Sequence, residues 1–217
     1  MAVQEIQVAQ ARPLPVYILA DVSGSMAEAG KISSLNQGVR ELIVALADAG
    51  ELFAQPQVGV ITFGGTSARL HQSLLPASQV KWHDMTASGM TPMGAAFTTA
   101  RQQIEDRNVV NGRAYRPVLV LVSDGQPNDI WEGPLDDLLT SERGSKADRF
   151  ALAIGPDADR TMLTRFTGSR ERVLGAQDAK GILAFFRFVT MSVVLTRSRA
   201  AQPNQALPPP PDLDWES

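Results

Sequence analysis

Four short apolar runs, each closed by a polar or turn residue, constrain this chain more than any other feature. They are Val16 to Val22 (VYILADV), Val58 to Phe63 (VGVITF), Val118 to Val122 (VLVLV) and Phe150 to Ile154 (FALAI). Runs this short, rich in β-branched residues and apolar throughout, are strands buried on both faces. Between them, apolar residues recur at helical spacing. Leu35, Val39, Leu42, Ile43, Leu46 and Ala47 make one such stripe, with Gly50 where the helix would stop. Thr91-Pro92 predicts a helix start, with Thr91 as N-cap and Pro92 at the first helical position; Ala95, Ala96, Thr99 and Ile104 follow. Leu135, Leu138 and Leu139 mark a short helix, and another is expected from about Asp159 to Phe166. Weaker strand signals lie at Ala68 to Ser73, as a hairpin partner of the second run, and at Arg172 to Leu174. The last helix spans about 179–195, with Ile182, Leu183, Phe186, Val189, Thr190, Val193 and Val194 on one face. Phe185 and Phe188 make its other side apolar too, so it is either deeply packed or partly an interface.

Strands alternating with helices predict an α/β fold, a mostly parallel central sheet with helices on both faces. Such sheets bind ligands at the carboxyl ends of their strands, where the strand order reverses. The expected organisation is an N-terminal arm over 1–12, one domain over 13–199 and an extended tail over 200–217. Val3, Ile6 and Val8 give the arm some apolar character. The tail, AAQPNQALPPPPDLDWES, is Pro-rich and ends in acids, with Trp215 as an anchor for a partner or for the protein's own surface, if it is more than a solvated spacer.

Composition narrows the function classes. The 217 residues are 44% hydrophobic and 20% charged, the mix of a globular chain. A net charge of −3 offers no excess of cations for a phosphate backbone and argues against general nucleic-acid binding. With 0 Cys, disulfides, thiolate metal sites and cysteine nucleophiles are excluded. His71 and His83, the 2 histidines, stand apart from any nucleophile or ligand cluster and read as packing or surface residues. The N-terminus lacks a basic segment followed by an apolar run, and Phe185 to Leu195 contains Arg187 and is too short to cross a bilayer. A cytoplasmic protein without a membrane partner is expected.

The chemistry gathers at the predicted strand ends. Asp21-Val22-Ser23-Gly24-Ser25 follows the first run directly. Its three side-chain oxygens, at i, i+2 and i+4, converge if the loop is tight, and Gly24 helps it bend. Oxygen donors of this kind suit a hard divalent cation such as Mg²⁺. A D-x-S-x-S string arises by chance in roughly one chain in twenty of this length, so its place before an amphipathic helix matters more than the string. Asp124 closes the VLVLVS run, followed by Gly125, and Thr91 precedes another helix. Each has a plainer reading: Thr91 as a cap only, Asp124 as the start of an Asp-Gly turn, the serines as loop and cap hydrogen-bonders.

Together, D-x-S-x-S, a distant Thr and an Asp closing a later strand resemble the metal-ion-dependent adhesion site of von Willebrand factor A domains. The matching residues are Asp21, Ser23, Ser25, Thr91 and Asp124, and the resemblance covers about 13–196. It implies a Rossmann-like von Willebrand factor A fold. Within that superfamily, RPLPVYILADVSGSM, TASGMTPMGAAF, PVLVLVSDGQPNDIW and FFRFVTMSV resemble the bacterial TerY-like family linked to tellurium resistance. That resemblance implies a cytosolic protein in a stress system, associated with a protein kinase and a protein phosphatase.

A site of this type implies a non-enzymatic module that binds a partner Asp or Glu through the cation, with Mg²⁺ as the default and Mn²⁺ or Ca²⁺ also suited to oxygen ligands. Two carboxylates against a divalent cation leave the filled site near neutral, able to accept a further anion. Met26, Met90, Met93, Asp129 and Trp131 are expected on the partner-binding rim, with Met85 nearby; packing is the competing role for the methionines. Asp129, Glu132, Asp136 and Asp137 make the neighbourhood acidic.

Three rivals stand beside this reading. A metal-dependent phosphohydrolase would want an acid or base beside Asp21, but Ser23 stands at i+2 and the first following cation is Lys31. Nucleotide binding would want G-x-G-x-x-G or G-x-x-x-x-G-K-[ST], and neither occurs. A metal-independent scaffold would use the last helix and the tail.

Overall fold

The computed structural model describes residues 11–49 and 54–199. Expectations for the arm (Val3, Ile6, Val8), for Gly50 and for the tail with Trp215 fall outside the described residues.

The chain forms a six-stranded sheet: β1 (Arg12–Asp21), β2 (Ala54–Gly64), β3 (Ser67–Pro76), β4 (Val118–Ser123), β5 (Asp148–Ile154) and β6 (Val173–Ala176). Their order is β3-β2-β1-β4-β5-β6. Every pairing is parallel except β2 with β3, which is antiparallel. Among the described residues, five α-helices connect or flank them: α1 (Lys31–Asp48), α2 (Met93–Glu105), α3 (Glu132–Thr140), α4 (Arg160–Thr167) and α5 (Ala179–Arg199). This is the mostly parallel α/β sheet expected from the apolar runs.

Two hydrophobic layers sandwich the sheet, because alternate strand residues point to opposite faces. Val16, Ile18 and Ala20 join Leu35, Val39 and Leu42 of α1 and Phe185, Phe186 and Val189 of α5. Tyr17 and Leu19 join Met93 and Phe97 of α2, Leu135 and Leu138 of α3, and Phe166 of α4. The final helix is therefore packed along both Phe185 and Phe188, which are buried. α1 and α5 approach closely at Gly38, where a Cβ would meet the Phe186 ring at 2.3 Å.

β1 begins at Arg12, earlier than its apolar run, and includes Pro13 and Pro15. The prolines fit because β4 pairs with β1 only from Val16 onward. Pro13 O accepts from Tyr115 N at 2.8 Å, so this side of Pro13 faces the segment ahead of β4. No ladder donor is needed there.

The connection after β1 leads through α1 to β2 on one side, and that after β4 leads through α3 to β5 on the other. The order therefore reverses between β1 and β4, and the crevice at their carboxyl ends is the place a ligand is expected.

Candidate metal site

Asp21 is the last residue of β1, and Asp124 follows the last residue of β4, its immediate neighbour. Both carboxylates are thereby delivered to the switch point by the sheet itself. After Asp21 the chain turns through Ser23 into a 3-10 segment, Gly24–Gly30, that leads into α1. Gly24 N donates to Gly89 O at 2.9 Å, which ties this loop to the one ahead of α2.

The oxygens form a connected run. Ser23 Oγ lies 3.1 Å from Ser25 Oγ, and Ser25 Oγ donates to Asp124 Oδ1 at 2.7 Å. Asp21 Oδ1 accepts from Ser23 N at 2.9 Å, and its Oδ2 accepts from Ser123 Oγ at 2.6 Å. Asp21, Ser23, Asp124 and Thr91 are buried, whereas Ser25 is exposed. The cluster is thus rooted in the fold and opens to solvent at Ser25. Burial pushes the Asp21 carboxyl above the usual carboxylate range, against the Ser123 and Ser23 hydrogen bonds; the Asp124 charge adds to the rise.

Thr91 is placed beside this run without joining it. A Cβ built on Gly125 would lie 3.9 Å from Thr91 Oγ1, so the hydroxyl borders the backbone just after Asp124. The expected capping role of Thr91 is not what the structure shows. α2 starts at Met93 with Pro92 in the cap position, and no side chain of its own segment caps it. Thr91 sits too far upstream; its carbonyl accepts from Met93 N and Asn128 N instead. The cap comes from Asp129, whose two oxygens accept from Gly94 N at 2.9 Å and Ala95 N at 3.0 Å. The Thr91 hydroxyl therefore has no helix-capping duty.

The donor set has the chemistry that a small divalent cation takes as ligands. Adjacent ligands of an octahedron with metal–oxygen distances of about 2.1 Å lie about 3.0 Å apart. The Ser23–Ser25 and Ser25–Asp124 separations, 3.1 and 2.7 Å, are hydrogen-bond lengths close to that edge, so an ion could replace the shared protons with little movement of the oxygens. Among the described residues no three His, Cys, Asp or Glu side chains converge on a metal position. The set instead has two carboxylates and three hydroxyls, all hard oxygen donors.

Two participants lie outside the five residues expected at the site. Ser123 orients Asp21 from the neighbouring strand; its signal is a small hydroxyl ending an otherwise apolar run. Lys31 Nζ lies 2.7 Å from Asp124 Oδ2, with the lysine side chain 23% exposed and that of Asp124 0%. Its signal is its position: it is the first residue of α1, the helix end where a cation is disfavoured unless an acid accompanies it.

The expected rim needs correction. Met26 and Met93 are both 0% exposed and belong to the two cores, and Met85 is 4% exposed. The 3-10 turn carries Met26 inward against the α1 layer, and Met93 opens α2 on its buried face. Asp129 serves as the α2 cap. Trp131 packs against the second core, with the Arg165 guanidinium 5.4 Å from its ring centre. Met90 remains on the surface as expected, joined by Ile130, which the sequence did not single out; they are 56% and 82% exposed. The acidic neighbourhood is partly neutralised: Asp136 pairs with Arg165 at 2.5 Å, and Asp137 lies 3.8 Å from Arg101. His71 and His83 remain apart from the site, His71 Nε2 lying 2.8 Å from the His83 carbonyl.

This fold and this array of oxygens at a β1/β4 switch point define a class. Residues 16–126 match the von Willebrand factor type A domain family, and the chain belongs to it. Among solved structures, a von Willebrand factor type A protein from Catenulispora acidiphila is similar at 17% identity and a TM-score of 0.64, covering 85% of this chain and 43% of that one. Proximal thread matrix protein 1 from the mussel byssus, solved with a zinc-occupied adhesion-site motif, is 15% identical with a TM-score of 0.63, over 84% of this chain and 48% of that one. The pilus adhesin SpaC from Lactobacillus rhamnosus GG is 14% identical with a TM-score of 0.71, over 85% of this chain and 31% of that one. This chain thus spans less than half the length of each of the three. No curated protein matches it. No described helix is long and apolar enough to cross a membrane.

Proposed function

We propose that the chain is a metal-dependent protein-binding module, in which Asp21, Ser23, Ser25, Thr91 and Asp124 hold a divalent cation. One observation carries this reading: the Ser23–Ser25–Asp124 run of hard oxygens gathered at the sheet's switch point. The cation would supply an open coordination position for an Asp or Glu of a partner, next to exposed Ser25. Lys31 changes the charge argument. With two carboxylates, one ammonium and a divalent cation, the filled site carries a net positive charge rather than none, which favours an anionic partner group further. Met90 and Ile130 are the apolar surface such a partner would cover.

Mg²⁺ is the proposed cation, with Mn²⁺ and Ca²⁺ as alternatives; the mussel relative's site holds zinc. The module is proposed to be non-enzymatic: the position two residues after Asp21, where a phosphohydrolase would carry its second acid, is Ser23. The finer reading is a cytoplasmic TerY-like protein serving a tellurium-resistance system with a protein kinase and a protein phosphatase, and it rests on the sequence phrases alone.

The test is thermal unfolding of the purified chain in chelator, Mg²⁺ and Mn²⁺. A ligand that binds only the folded state stabilises it by mass action. The unfolding midpoint should rise with either metal in the wild type and stay put in Ser23→Ala. A midpoint indifferent to both metals would remove the basis for the module.

A further inference from the structure

We propose that Lys31 is a built-in competitor of the cation, an ammonium that satisfies Asp124 in the metal-free site and lowers its affinity for divalent ions. The inference rests on the metal-site reading and goes beyond it, because nothing in the five-residue site requires a lysine. Three observations carry it. Lys31 Nζ sits 2.7 Å from Asp124 Oδ2, while the other oxygen, Oδ1, accepts from Ser25. The Asp124 side chain is fully buried, so without Lys31 one oxygen of a buried carboxylate would have no cation beside it. Lys31 is also the first residue of α1, where the helix end itself disfavours a positive charge. A lysine in that place is held there by the carboxylate.

The consequence follows from charge alone. A divalent ion bound by Asp124 either displaces the ammonium or shares the carboxylate with it. In the first case binding must break an ion pair. In the second, two cations lie on one carboxyl group and repel. Both lower metal affinity, and both leave the metal-free site quiet rather than open as a bare pair of acids. The site would then fill well only when a further anion, supplied by a partner, offsets the surplus positive charge. Lys31 thereby couples metal occupancy to partner binding.

The experiment is a calorimetric titration of Mn²⁺ into metal-stripped full chain, for wild type, Lys31→Met, Lys31→Gln and Lys31→Arg. Circular dichroism checks that each variant is folded. Removing the charge, by Met or by Gln, should tighten Mn²⁺ binding about tenfold or more, whereas Lys31→Arg should stay within about threefold of wild type. The Mn²⁺-induced rise in unfolding midpoint should be larger in Lys31→Gln than in wild type. Equal or weaker Mn²⁺ binding in both neutral variants, with wild type binding normally, would overturn the role of Lys31 and leave the metal site standing. No Mn²⁺ binding by any of the proteins would overturn both.

Discussion

Ser123 Oγ donates to Asp21 Oδ2 at 2.6 Å, so the last residue of β4 fixes the carboxylate that ends β1. Both residues are 0% exposed. A buried carboxylate left short of a donor costs about 1–3 kcal/mol. Ser123→Ala should therefore lower stability by that order in urea unfolding and weaken Mn²⁺ binding several-fold by freeing the Asp21 rotamer. Unchanged values of both would mean that Asp21 is held by its own loop, through Ser23 N, and not by the neighbouring strand.

The α2 cap makes a second test. Asp129 reaches α2 from the loop after β4 and takes both Gly94 N and Ala95 N. Asp129→Ala should cost about 1–2 kcal/mol, the usual range for a lost N-cap. Thr91→Ala should cost less in the metal-free protein, since the Thr91 hydroxyl does not cap the helix. The opposite ranking in denaturant unfolding would restore Thr91 as the cap.

Gly89 braces the site loops by backbone alone. It has a φ of +76°, its carbonyl accepts from Gly24 N, and a Cβ there would meet Gly65 Cα at 2.3 Å. Neither backbone can yield cheaply, and the left-handed conformation adds strain. Gly89→Ala should destabilise the domain by about 2 kcal/mol or more and displace the Gly24 loop. Metal affinity should fall with it. A variant as stable as wild type would show that the two loops part easily.

What the sequence allowed and what it hid divide along physical lines. Strands buried on both faces announce themselves as apolar runs, so β1, β2, β4 and β5 were legible. The strand-end acids Asp21 and Asp124 were legible with them, because a parallel sheet delivers its carboxyl ends to one edge. The early start of β1 was hidden by Pro13 and Pro15, which are poor strand residues except where no neighbour needs their donor. The cap of α2 was hidden because it is non-local: Asp129 comes from 35 residues downstream of Gly94. Met26 and Met93 misled for a related reason. Whether a residue beside a site loop points out or in depends on a single 3-10 turn or the first turn of a helix, and composition does not encode that.

Stability towards acid should depend on Glu105, far from the site. Desolvation would raise its carboxyl, but N–H groups of Arg143 and Gly144, the Ser141 hydroxyl and the Arg143 charge outweigh it and hold it below the ordinary 4.5. The folded protein thus releases this proton more readily than the unfolded chain. Its contribution is present above about pH 4.5 and is lost as pH falls through the lower folded value. Glu105→Gln should be less stable than wild type at neutral pH, and the gap should narrow as pH falls below about 4.5. Urea unfolding at neutral pH and in acid reads this directly. A gap that persists in acid would assign the effect to packing rather than charge.

A divalent cation held among Asp21, Ser23, Ser25, Thr91 and Asp124 should show in a calorimetric titration of Mn²⁺ into metal-stripped wild type and into folded Asp124→Ala. One-site binding is expected in the wild type and none in the variant. Binding of equal strength in both proteins would contradict the five-residue site, and absence of binding in the wild type would contradict the metal centre itself.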